Sequence, residues 1–250
     1  MAAGAHSTDI IDEAASLSNE MLGLCRDALL TSIKFTNRPL AQLPHRIQME
    51  RSGCMTDGRE ALFSPAFVLN SFNNGRQIIT RAYLHMIVHC LLRHPFPTRE
   101  VDPLTWTVAC DLAVGCIIGQ LECDAINYAD EERDRAIAAW EQRVDQRTAS
   151  AFYALLEREG LSQEELAKIE VTIGMDSHEL WFSTLEGLEP EQSQEQQEVQ
   201  QQLEQRWEEV ASATDMDMQR EEDAAPSALT SQLRNAHAST MSLEELLQVY

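Results

Sequence analysis

Apolar residues recur along most of this chain with the period of an α-helix. From Asp9 to Phe35, Ile10, Ala14, Leu17, Met21, Leu24, Leu29 and Ile33 fall on one side of a helical wheel. They predict an amphipathic helix with Thr8 as N-cap and Asn37-Arg38-Pro39 as its stop. The period then changes: Ile47 and Met49 alternate with polar neighbours, and Ser52-Gly53 and Asp57-Gly58 are turn dipeptides. One or two short strands are expected, ending at Leu62-Phe63. Ser64-Pro65 opens a short helix, with proline at the first helical position. Two strongly apolar helices follow, one from Arg76 to His94 and the other from about Leu104 to Leu121. Asp130 to Glu159 reads as one long helix stopped by Gly160, and Ser162 with Glu165 forms a capping box for the next. Asp176, His178, Glu179 and Trp181 lie in a short segment, where exposed loop positions are the plain expectation. Beyond Pro190, Val199, Leu203, Trp207 and Val210 mark a narrow stripe on a polar helix, as in a docking or coiled-coil helix. Residues 211–226 are acidic and expected to be disordered, and Ser242 starts a last helix.

The Arg76–His94 stretch carries the chemistry. His85 and His89 are four residues apart, so a helix aims both imidazoles at one point, as in the HExxH metal helix. Ile78, Ala82, Val88 and Leu92 flank the pair, which therefore faces inward. His94 lies about 180° round the wheel from His85 and joins the pair only if the helix ends early. Met86 stands where the motif has its glutamate, so the metal half is present and the catalytic half is missing. In the next helix Asp111 is the single charge, costly to bury unless it meets a cation or a hydrogen-bond donor. It is a candidate third ligand, with His94 and His178 as alternatives. A pair of histidines hydrogen-bonded within the core is the bland reading of the same residues.

Composition narrows the setting. The hydrophobic content of 44% supports a real core, but polar residues interrupt every apolar run before it could span a bilayer. The amino terminus has no basic region followed by an apolar one, so secretion is not expected. Six cysteines follow no metal or disulfide spacing, and Cys90, Cys110 and Cys116 sit in apolar helices, as reduced thiols of a cytoplasmic protein would. Up to Leu121 there are 10 basic and 11 acidic residues, and after it 9 and 30, so nearly all of the net charge of −22 lies in the second half. Such a surface repels phosphate backbones and makes nucleic acid a poor partner.

Several pieces together resemble a bacterial metallopeptidase-like domain family whose members usually precede a von Willebrand A-like domain. They are Arg38-Pro39, Thr56-Asp57-Gly58 followed by Ser64-Pro65-Ala66-Phe67, the central HMIVHCLLRHP, ACDLAV in the following helix and, more loosely, Asp176 to Trp181. The resemblance covers Asp9 to Phe182. It implies a mainly α, zincin-like helical domain with a small β-hairpin, zinc on His85 and His89, and Asp111 as third ligand. It also implies a protein partner of the MoxR-type AAA+ ATPase class. Two departures stand out: Met86 replaces the family's glutamate, and Gly115 replaces an asparagine. The domain expected is residues 9–188, between a disordered segment 1–8 and an acidic helical, partly disordered extension 189–250.

In zinc peptidases that glutamate carries a proton from the attacking water to the leaving amine, and acid–base help of this kind is worth about 10²–10⁴-fold. A thioether does neither. A zinc-binding pseudoenzyme acting through partners is therefore the leading expectation. An active peptidase with a displaced base ranks second, drawing on Glu60, Glu100, Glu179 or His178. A metal-free helical interaction domain ranks third.

Overall fold

A computed structural model describes residues 2–97, 100–182, 190–220 and 226–234, with residues 2–9 and 190–194 described by their backbone alone. The fold is mainly α with one small sheet, as expected. The chain divides into two compact units: Met1–Ile87 with Cys123–Ala129 and Met175–Thr184, and Val88–Glu122 with Asp130–Gly174 and Leu185–Tyr250.

In the first unit, α1 (Ala2–Ser32) buries Ser18, Leu22, Cys25 and Leu29 along one face. It starts before the expected Thr8 cap and stops at Ser32, because Ile33 turns to extended backbone. Asn37-Arg38-Pro39 does not end α1; it opens the short helix α2 (Asn37–Gln42). Three strands follow instead of one or two: β1 (His45–Ile47), β2 (Cys54–Thr56) and β3 (Ala61–Phe63), in the order β1-β3-β2. The β2–β3 pair is the expected antiparallel hairpin, and β1 adds to β3 in parallel. Its turn is closed by Asp57, whose Oδ1 accepts from the amides of Arg59 and Glu60. Ser64 caps α3 (Pro65–Asn74) by accepting from the Phe67 amide, and it also accepts from the Gly53 amide at the start of β2.

The central helix α4 (Arg76–Leu91) is anchored near its middle by Tyr83. The Tyr83 hydroxyl donates to the Leu43 carbonyl at 2.7 Å and meets the Arg26 guanidinium, which also donates to the Leu40 carbonyl. Burial pushes this phenol up to about 12, so it stays a neutral donor.

The second unit is built round α5 (Pro103–Ile118), apolar on every side and buried from Thr105 to Ile118. Asp102 caps it, accepting at Oδ1 from the amide and the hydroxyl of Thr105. Around it pack α6 (Glu131–Glu141), α7 (Ala149–Glu159) and α8 (Gln163–Ile173). The expected single helix from Asp130 to Glu159 is thus two helices: Thr148 caps α7 by accepting from the Ala151 amide. Gly160, at φ +62°, and the Ser162–Glu165 capping box behave as predicted.

After a single helical turn, α9 (Glu179–Phe182, in the first unit), α10 runs from Pro190 to Arg220. Residues 211–220 are therefore helical where disorder was expected, and Thr214 and Asp215 are buried there. Leu203 and Trp207 of the expected docking stripe are buried within the fold. Residues 227–234 are helical too, and the helix expected from Ser242 lies outside the described residues. No helix among the described residues is long and apolar enough to cross a membrane.

Candidate metal centre

His85 and His89 sit one turn apart on α4, both fully inside the protein. The division between the two units falls in this helix, so each histidine has its own surroundings. In the first unit the Nε2 atom of His85 lies 3.5 Å from Asp176 Oδ1, and His178 Nε2 lies at the same distance from that oxygen. In the second unit His89 Nε2 is 3.1 Å from Asp111 Oδ1. Each of the five residues His85, His89, Asp111, Asp176 and His178 offers one ligand atom, and these atoms lie within 4.8 Å of one another.

The segment holding Asp176 and His178 is not the exposed loop expected of it. In the order β1-β3-β2, strand β2 leaves one edge open, and residues around Ser177 occupy it. Ser177 forms a parallel bridge with Met55, its amide donating to the Cys54 carbonyl at 2.9 Å, and the Trp181 indole donates to the Thr56 carbonyl at 3.1 Å. In extended chain, side chains two apart share a face. Asp176 and His178 therefore turn the same way, and neither side chain is more than 1% exposed. The alternation of an acid and an imidazole in Asp176-Ser177-His178 was the sequence signal for this, masked by the shortness of the segment. Glu179, on the other face, is exposed and pairs with Arg51. Among the other acids considered as substitute bases, Glu60 pairs with Arg46 at the surface and Glu100 is exposed.

His94 meets His89 through the way α4 ends. The helix stops at Leu91, three residues short of the predicted end. The His94 amide donates to the His89 carbonyl and the Arg93 amide to the Cys90 carbonyl, each at 3.0 Å, which is the Schellman pattern. Arg93 takes the left-handed position, φ +58°, usually held by glycine. The reversal brings the ring of His94 back to His89, Nδ1 to Nδ1 at 2.9 Å, and stands it edge-on to Trp106. Arg93 itself reaches Glu204 and Glu208 of α10.

Neighbouring small residues fit this packing. A Cβ at Gly115 would meet Ile137 Cδ1 at 2.6 Å, so any larger residue there requires the end of the Ile137 side chain to shift. A Cβ on Gly174 would meet the Glu170 carbonyl at 2.8 Å and Asp111 Oδ2 at 3.4 Å. Burial, and secondarily Asp176, raises the Cys54 thiol well above its ordinary range; burial, and secondarily Asp111, does the same for Cys110.

Three imidazoles and two carboxylates are the donors that zinc and other borderline divalent cations take. A buried carboxylate is costly without positive charge beside it, and a divalent cation supplies it. The residues present thus fit a bound metal. No curated protein and no solved structure matches the chain. A family model does, over residues 35–249, under the description "putative metallopeptidase domain". With that match spanning most of its length and a histidine–aspartate cluster able to hold a metal at its centre, the chain belongs to this metallopeptidase-domain family.

Proposed function

We propose that this protein binds one zinc ion through His85, His89 and Asp111, with Asp176 and His178 filling further positions, and that it acts by binding partners instead of cutting peptides. The observation that carries the reading is Met86: a buried thioether stands where a peptidase of this helix pattern has its proton-carrying glutamate. A zinc ion held there would supply positive charge and Lewis acidity. Zinc usually takes four donors in a closed structural site and keeps one position open in a catalytic one. Five donors with buried side chains favour the closed kind. Glu60 and Glu179, the surface acids considered as replacements, hold arginines. The exposed acidic positions of α10 offer a partner-facing surface, and a MoxR-type ATPase is the partner that the family resemblance suggests.

One observation favours a second reading. Asp176 lies between His85 and His178, so with zinc on three ligands it could stand in as the proton carrier. Peptidase assays on the zinc-loaded native chain, on Met86→Glu and on Asp176→Asn separate the two. The proposed reading expects no cleavage by the native chain and cleavage gained by Met86→Glu. Native cleavage that disappears in Asp176→Asn would establish the second.

A further inference from the structure

We infer that His94 is the positioning residue for the His89 ligand: its bare Nδ1 accepts the Nδ1–H of His89 and so leaves the Nε2 lone pair of His89 for a metal. The inference rests on the metal-site reading above and specifies how the second histidine is prepared for it.

The two Nδ1 atoms face each other at 2.9 Å inside the protein. At that separation one nitrogen carries the proton and the other accepts it. If His94 donates, neutral His89 keeps its own proton on Nε2, the atom 3.1 Å from Asp111 Oδ1, and has no lone pair there to give. If His89 donates, Nε2 is bare and turned toward the Asp111 carboxylate. A ligating histidine normally gives its remaining N–H to a fixed acceptor, which sets the tautomer and the ring plane. Here a second imidazole occupies the acceptor's place.

His94 is itself held from several directions. Its backbone amide is tied to the His89 carbonyl by the Schellman bond, and its carbonyl accepts from the Trp106 indole at 3.0 Å. Its ring stands edge-on to Trp106. The backbone of His94 is therefore held by the helix end and by α5, with its ring seated between His89 and Trp106. In most Schellman endings these two positions make an apolar contact. A pair of imidazoles in that place is the departure this inference explains.

The test is zinc affinity, by competition with a chromophoric chelator, for the native chain, His94→Phe and His94→Asn. Phenylalanine keeps a ring against Trp106 and removes the acceptor; asparagine returns an acceptor near the Nδ1 position. His94→Phe is expected to bind zinc about 10–100-fold more weakly, and His94→Asn to recover most of that loss. Melting of the metal-free variants separates lost positioning from lost folding. In the ¹⁵N-labelled, zinc-loaded native chain, a coupling across the hydrogen bond should join the two Nδ1 nuclei, with the proton on His89. Native zinc binding left unchanged in His94→Phe, or the proton found on His94, would overturn the inference while the metal site stands. A native chain that takes up no zinc would overturn both.

Discussion

Met86 and Asp111 differ in how much their identity alone reveals. A missing glutamate in a histidine pair four apart is visible from spacing alone, and the buried position of Met86 adds only that the thioether is part of the core. Asp111 was legible because one charge in an apolar helix demands a partner, and His89 is that partner at 3.1 Å. Replacing His89 by alanine removes the imidazole 3.1 Å from a buried carboxylate, a loss on the order of 3–5 kcal/mol. Urea unfolding should register it, together with loss of bound zinc. Asp102 makes a smaller and pH-dependent contribution. Hydrogen bonds from the Thr105 hydroxyl and amide hold its carboxyl below the usual 3.8, so its stabilisation is complete above that value. It fades as the pH falls through the lower folded value. Asp102→Ala should therefore cost about 0.5–2 kcal/mol at pH 7, with the gap to the native chain narrowing in strong acid.

Elements explain what the residues alone left open. The place of His94 depended on where α4 ends, and the sequence offered no glycine to mark the end at Arg93, which takes the left-handed position itself. Asp176 was not expected as a ligand, and His178 was only an alternative one, because their burial depends on the open edge of β2, a pairing between segments far apart in the chain. Local rules decided the Ser64 cap and the Ser162–Glu165 box correctly, but not the Thr8 cap or the Asn37-Arg38-Pro39 stop. Where two local signals competed, the reading failed: the charged periodicity of 130–159 concealed the Thr148 cap. Gly115 gives a test at this scale. Gly115→Asn would drive a side chain into Ile137 and should destabilise the fold by about 1–3 kcal/mol, read as a lower melting temperature. Gly115→Asn combined with Ile137→Ala should recover part of that loss.

At the scale of the whole molecule, helical periodicity foretold the many helices, and composition placed the acidity in the later ones. It did not foretell that α10 would run through residues 211–220, because buried Thr214 and Asp215 are polar and give no hydrophobic signal. If the cluster holds zinc, the metal ties together residues from three separate stretches of chain, and its removal acts on the fold that holds them. Chelation should lower the melting temperature, and the shift should grow with the logarithm of free zinc in the way a ligand bound only to the folded state requires. The most direct measurement of the central claim is X-ray absorption at the zinc edge on the native, zinc-replete protein. The account predicts a shell of nitrogen and oxygen donors alone, with the outer-shell scattering of at least two imidazoles. A sulfur shell, or protein that retains no zinc, would contradict it.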